Sequence, residues 1–179
     1  MKIPKRLETE RLIIRPFELR DLDLFYAFMS NENATKYLLF TPEQKTYEGS
    51  KKLLEDTINS YNNPQPLFAL TIADRNRDLF LGSCGFAPLE KQGEVQCYYA
   101  IDPQYWRQGL ATEAFTKLIE YAFLELKLSK IVSFVNPENI ASIKLAEKVG
   151  MKYKEKVKRK EFGDREGLVF EIKIENHQK

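Results

Sequence analysis

Apolar residues return every three to four positions between 111 and 126. Ala111, Ala114, Phe115, Leu118, Ile119, Ala122, Phe123 and Leu126 fall on one stripe, the pattern of a helix with one buried face. Leu53, Leu54, Thr57, Ile58 and Tyr61 keep the same period and predict a second helix over 42–61, ended by Asn62-Asn63-Pro64. Asp21 is placed to cap a short helix carrying Leu22, Leu24, Phe25 and Phe28. A fourth helix is predicted over 140–148, closed by Gly150 at its C′ position.

Shorter apolar runs between turn residues predict strands. The first covers 11–17 and is stopped by Pro16. Three more follow closely at 67–73, 79–87 and 95–101, separated by turns at 74–78 and 91–93. Such short turns join antiparallel neighbours. A strand at 131–135 comes after the 111–126 helix, and that crossover makes 95–101 and 131–135 parallel. The last pair covers 152–158 and 168–175, with Leu168, Phe170, Ile172 and Ile174 facing inward. The expectation is an α/β (α+β) fold, a mixed, mostly antiparallel seven-stranded sheet with about four helices. No repeat, linker or composition break divides 1–179, so one domain is expected. The segment 31–42 reads as a loop carrying Tyr37, Leu38, Leu39 and Phe40 without a strand or helix period.

Composition removes several kinds of chemistry. With 43% hydrophobic and 30% charged residues the chain is a folding one. Its net charge of +2 argues against a dedicated duplex-DNA binder, which carries a strong basic excess. Two cysteines, Cys84 and Cys97, are too few for a disulfide scaffold and fit a reducing compartment. One histidine, His177, leaves Ser-His-Asp, Cys-His and multi-histidine metal chemistry without their parts. No apolar run approaches a membrane span, and the charged start MKIPKRLETER lacks a signal-peptide core. A cytoplasmic protein, with no metal, nucleic acid or membrane as partner, is the expectation.

Two places could carry chemistry. The link Trp106-Arg107-Gln108-Gly109-Leu110-Ala111-Thr112 leads from a strand into the strongest helix. Backbone N–H groups in a first helical turn lack intrahelical partners, and Gly109 permits close approach, so a phosphate or pyrophosphate could sit there. Arg107 could add a charge. An ordinary strand-to-helix turn would show the same residues. The second place is Asn139-Ile140-Ala141-Ser142, where Asn139 is a good N-cap and Ser142 lies one turn in. Both places follow the C-terminal ends of the two parallel strands, where α/β sheets tend to bind ligands.

The combination resembles the GNAT superfamily of acetyl-CoA-dependent N-acyltransferases. More narrowly, it is similar to the RimJ/RimL-type branch, named for enzymes that acetylate ribosomal-protein N-termini. The likeness is carried by Leu7-Glu8-Thr9-Glu10-Arg11-Leu12-Ile13-Ile14-Arg15-Pro16, by the 105–114 segment, and by Asn139-Ile140-Ala141-Ser142 followed by Glu147-Lys148-Val149-Gly150-Met151. It implies acetyl-CoA as co-substrate and direct attack by a primary amine on the thioester, in a ternary complex without an enzyme nucleophile. Arg107, Gln108 and the N–H groups of Gly109, Leu110, Ala111 and Thr112 would hold the pyrophosphate. Tyr99 and Ile101 would lend strand backbone to the pantetheine arm, with Asn139 bonding the same arm. Ser142 would supply a proton to the leaving thiolate. Gln96, Tyr98, Tyr37 and Leu38 would line the acceptor side.

The sequence also departs from its relatives. Trp106 replaces the Gln or Arg that opens the general superfamily motif, as is usual in this branch. Ala146 stands where many relatives carry a tyrosine acid. Gln96 stands where a strand glutamate is common, thirteen residues before Gly109. Glu94 shares a strand face with Gln96 and Tyr98, and is about 7 Å from Gln96 at ~3.4 Å per residue, so it is the candidate base, reaching through water. A solvated carboxylate beside a turn would look the same. Deprotonating an α-amine at pH 7 costs about 1–1.4 kcal/mol and a lysine about 4.6 kcal/mol, which favours an α-amine or another low-pKa acceptor. The acceptor itself is open, and the chain could be a monomer or homodimer. A non-catalytic acetyl-CoA sensor is the alternative reading. Lys152, Lys154, Lys156 and Lys158, with Arg159 and Lys160 after them, are expected on one solvated strand face opposite Glu171 and Glu175.

Overall fold

The structure is a computed structural model that describes residues 1–159 and 164–177. In chain order its elements begin with β1 (Leu7–Glu8), β2 (Leu12–Pro16), α1 (Leu22–Ser30), α2 (Glu32–Thr35) and α3 (Tyr47–Ser60). Next come β3 (Phe68–Asp74), β4 (Phe80–Pro88), β5 (Glu94–Ile101), α4 (Leu110–Leu124) and β6 (Lys130–Val135). The chain continues with α5 (Ile140–Lys148), β7 (Lys152–Arg159), β8 (Arg165–Lys173) and α6 (Ile174–His177). The strands hydrogen-bond in the order β1-β2-β3-β4-β5-β6-β8-β7. β1–β2, β2–β3, β6–β8 and β7–β8 are antiparallel, while β5 and β6 run parallel with Gln96 opposite Val132. That parallel pair is the one the α4 crossover requires.

The expected mixed, mostly antiparallel sheet is therefore present, with one strand more than the seven predicted. The extra strand, β1, is two residues long and has no run to reveal it. The helix expected over 42–61 begins only at Tyr47, because Thr46 caps it by accepting from the Gly49 N–H at 3.1 Å. The preceding residues 43–45 form a single 3-10 turn. Within the expected 31–42 loop, Asn31 caps the single-turn α2 by accepting from Asn33 and Ala34 N–H.

Contacts divide the chain into two compact units. One is Met1–Gly85 with Tyr99–Lys117, the other Phe86–Tyr98 with Leu118–Lys179. In the first, α1 turns Phe25, Phe28 and Met29 inward against Phe17, Leu54 and Phe80. Phe25 and Phe28 meet Phe80 edge-on, each at 5.9 Å between ring centroids. A fully buried side chain such as Phe28 contributes roughly 1.5–3 kcal/mol.

Asp21 does not cap α1. Its backbone is already helical and its side chain makes no cap bond. The carboxylate instead accepts from Arg15 Nη1 and Nη2, each at 2.8 Å, from Glu18 N–H at 2.9 Å and from Thr71 Oγ1 at 3.1 Å. Arg15 also donates from Nε to Asp78 at 2.8 Å. A charge this deeply buried is tolerated only when paired and hydrogen-bonded.

In the second unit the buried side chains include Val95, Cys97, Ile131, Ala146, Phe170 and Ile172. The missing side chain of Gly167 leaves the space that the Phe134 ring fills. The expected one-faced lysine stripe is broken by a bulge at Lys154, since Tyr153 pairs with Phe170 but Glu155 pairs with Val169. An extra residue in one strand reverses the alternation, so Lys152 shares its face with Glu155, while Lys156 and Lys158 share theirs with Tyr153. Lys156 pairs with Glu166 at 2.7 Å, not with Glu171. Lys160 lies outside the described residues. Among the described residues, no helix is long and apolar enough to cross a membrane.

Candidate functional site

The first unit holds the whole 107–112 link. Beyond β5, Asp102 accepts from Gln104 N–H at 3.0 Å and starts a 3-10 turn. Trp106, half exposed, folds its indole back so that Nε1 donates to the Ile101 carbonyl at 2.6 Å. The loop itself thus takes one lone pair of that carbonyl. Arg107 and Gly109 both take left-handed backbone, at φ 60° and 77°, a conformation that favours glycine and strains β-branched residues. The chain then enters α4, where the Glu113 N–H donates to the Gly109 carbonyl at 3.1 Å. That bond opens the helical ladder, so the N–H groups of Leu110, Ala111 and Thr112 precede it and belong to the open first turn. The Tyr99 ring packs on Phe115 of α4, with centroids 4.7 Å apart.

Sequence reasoning missed what holds this turn. Glu113 Oε1 accepts from Thr9 Oγ1 at 2.6 Å and from the Arg11 N–H at 2.9 Å. Arg11 Nε donates to Glu113 Oε2 at 2.7 Å, and Arg11 Nη1 donates to the Gln108 carbonyl at 2.9 Å. Burial works against the Glu113 charge, but the bonds from Thr9 and Arg11 together hold its pKa below its ordinary value. Thr9, Arg11 and Glu113 all belong to the segments that carry the family resemblance. More than a hundred positions separate the two sides, so no local pattern could pair them.

In the same unit, the loop residues expected at the acceptor side behave differently from one another. Leu38 and Phe40 pack against the Phe25–Phe28 cluster, so Leu38 anchors the loop. Leu39 is the exposed one. The Lys36 ammonium lies 5.0 Å from the centre of the Tyr37 ring.

The second unit holds Glu94, Gln96, Tyr98, Asn139 and Ser142. Glu94 Oε2 lies 2.6 Å from Lys130 Nζ and Oε1 lies 3.0 Å from Lys91 Nζ. The bonds from Lys130 and then Lys91 hold its pKa below the ordinary value. These pairs bear on its expected role as a base. A carboxylate paired on both oxygens is a weaker proton acceptor, and its partners sit in the turn before β5 and at the start of β6. Gln96 and Tyr98 follow it along the same strand face, both half-buried. Burial pushes the Cys97 thiol up to about 12, against a hydrogen bond with Ser133, so it does not present the thiolate that an acyl carrier needs; Cys84 is buried too.

Asn139 caps α5 by accepting from the Ser142 N–H at 3.1 Å. That bond takes one lone pair of its oxygen, and its amide NH2 is a donor it could offer a ligand. Ser142 is half-buried in the first turn of α5. Ala146, where relatives carry a tyrosine, is fully buried.

Residues 11–152 match the acetyltransferase (GNAT) domain family. An uncharacterized N-acetyltransferase of Bacillus licheniformis, p20, is 34% identical over 140 residues, covering 78% of each chain. Among solved structures, a GNAT-family acetyltransferase from Bacillus anthracis superposes with a TM-score of 0.82 at 23% identity, covering 95% of this chain and 99% of that one. Mycobacterium smegmatis RimJ in complex with CoA-disulfide superposes at 0.77 with 16% identity, covering 92% and 82%.

Proposed function

Because the chain belongs to the GNAT acetyltransferase family, we propose that it is a cytoplasmic, single-domain enzyme that transfers acetyl from acetyl-CoA to a primary amine. One observation carries the reading more than any other. The 107–112 turn opens α4 with a left-handed Gly109, and the N–H groups that follow it have no place in the helical ladder. Such a turn suits a pyrophosphate, which is anionic and needs several convergent donors.

In this reading Gly109, Leu110, Ala111 and Thr112 hold the pyrophosphate by backbone N–H, with Arg107 and Gln108 beside them. Tyr99 and Ile101 lend β5 backbone to the pantetheine arm, and Asn139 bonds that arm through its amide NH2. The neutral amine attacks the thioester carbon, forming C–N as C–S breaks. The amine's surplus proton leaves to solvent, and Ser142 passes a proton to the departing thiolate while regaining one from solvent. With Glu94 held in ion pairs, its carboxylate is a weaker base, and this favours an acceptor that is readily neutral at pH 7. An α-amine meets that condition at a cost of about 1–1.4 kcal/mol, against about 4.6 kcal/mol for lysine. A protein N-terminus of the kind RimJ/RimL-type enzymes acetylate is therefore the favoured acceptor class. Tyr37, Leu38, Gln96 and Tyr98 are proposed on the acceptor side, Leu38 by fixing the loop.

The ion-paired Glu94 and the buried Ala146 also favour a second reading, a sensor that binds acetyl-CoA without turning it over. Release of free thiol from acetyl-CoA distinguishes the two when measured against peptides with different N-termini, lysine peptides, polyamines and amino sugars. Turnover with an α-amine supports the enzyme. Binding without turnover across the panel supports the sensor.

A further inference from the structure

We propose that Arg11 is a positioning residue that aims the Gly109 N–H at the pyrophosphate of acetyl-CoA by gripping the Gln108 carbonyl from behind. The inference rests on the reading of the 107–112 turn given above and adds a residue outside that turn. Its basis is peptide geometry. The Gln108–Gly109 peptide is planar and trans, like the others described, so its C=O and N–H point in opposite directions. Arg11 Nη1 holds the carbonyl at 2.9 Å, which fixes the N–H on the far side. Gly109, on one side of this peptide, takes left-handed backbone, and Arg107 does so one residue before Gln108. Glycine's wide backbone freedom leaves the orientation of the peptide to be set by an external bond.

The guanidinium is itself fixed. Glu113 takes Arg11 Nε and the Arg11 backbone N–H, and Thr9 completes the carboxylate's shell. Arg11 Nη2 passes 3.7 Å from the position a Cβ would take on Gly109, so the grip lies against the Gly109 backbone. A second effect comes from charge. Glu113 lies in the first turn of α4, where an uncompensated carboxylate would repel an anionic ligand. Arg11 neutralises it at 2.6 Å. Because its charge is spent in this pair, Arg11 acts through the turn and not as a phosphate ligand. Lysine cannot replace it, since a single ammonium does not reproduce the planar fork that meets a carboxylate and a carbonyl together.

The test compares wild type, Arg11→Met and Arg11→Lys by calorimetric titration with CoA and by the amide resonance of Gly109. Wild type is expected to bind CoA and to shift the Gly109 resonance. Arg11→Met should bind about tenfold or more weakly, the scale of a lost charged hydrogen bond, and should lose the ligand-induced Gly109 shift even when saturated. Arg11→Lys should recover less than half of the lost affinity. If either variant is too unstable to titrate, the other carries the same comparison, and the Gly109 shift reads the aim of the peptide apart from any general loss of folding. Unchanged CoA affinity and an unchanged Gly109 shift in Arg11→Met would overturn the role of Arg11 while leaving the CoA site intact. Failure of wild type to bind CoA would instead overturn the proposed function.

Discussion

Arg11 and Arg15 stand four residues apart at the start of the chain, and each is locked to a carboxylate by several hydrogen bonds. The Arg15 side chain is 4% exposed and its partner Asp21 2%. The Arg11 side chain is 47% exposed and its partner Glu113 17%. Arg15 sits inside β2 and joins β2, the turn before α1, and the turn after β3 through Asp21 and Asp78. Arg11 sits just ahead of β2 and joins the N-terminal segment to the turn before α4. The same chemistry therefore does two jobs. Deep burial makes the Arg15 pair indispensable to folding, because breaking it strands a charge away from water. Partial exposure makes the Arg11 pair cheap to break in stability terms. Its value lies in the backbone it orients.

Removing the buried partner should have the largest effect. Asp21→Ala is expected to lose about 3–5 kcal/mol of stability, read by urea unfolding. A loss under about 1 kcal/mol would mean that water reaches Arg15 and that the contrast with Arg11 is smaller than drawn. Ser142→Ala touches neither pair and isolates the chemical step. It should lower kcat by at most about 10²-fold, the low end for a general acid, with little change in KM for acetyl-CoA. A KM effect without a kcat effect would make Ser142 a binding residue.

Gly109→Val goes to the turn itself. A β-branched residue at positive φ costs roughly 1–2 kcal/mol, so CoA affinity should fall about tenfold or more while folding persists. Unaltered CoA affinity would separate the turn from the ligand. Glu113→Gln sharpens the comparison through pH. The folded pKa of Glu113 lies below its ordinary value. Its stabilisation is therefore complete above about pH 4.3 and fades as the pH falls through the depressed folded value. Glu113→Gln should flatten that acid limb of the stability curve, and an identical limb in the variant would assign it to other carboxylates. Glu94→Gln should do least to turnover, leaving kcat unchanged. A marked fall in kcat would make Glu94 the base.

What the sequence made legible was what local pattern encodes. The α4 stripe, α5 with Asn139 before it and Gly150 after it, and the parallel β5–β6 pair all follow from spacing over a few dozen residues. The start of the link into α4 was readable from Gly109 for the same reason. The remainder depends on side-chain commitments between distant segments. Asp21 has the identity of a helix cap, but the buried Arg15 outcompetes the α1 backbone for its carboxylate. Thr46 could have been recognised as a cap inside the 42–61 apolar run, since Gly49 stands three residues on. The bulge at Lys154 leaves no mark in an alternating lysine pattern, and its two-for-one register appears only in the pairing. Glu94 looked available because Lys130 lies on another strand. The grip of Arg11 on the Gln108 carbonyl involves a backbone atom, which no residue code reveals.

The central claim is that the turn from Arg107 into α4 holds the pyrophosphate of acetyl-CoA. A crystal structure of the wild-type protein grown with acetyl-CoA tests it most directly. The account predicts pyrophosphate oxygens about 2.7–3.2 Å from the backbone nitrogens of residues 109–112, with the Gln108 carbonyl still on Arg11. A pyrophosphate bound elsewhere on the chain, or a 107–112 turn with its N–H groups directed away from it, would contradict it.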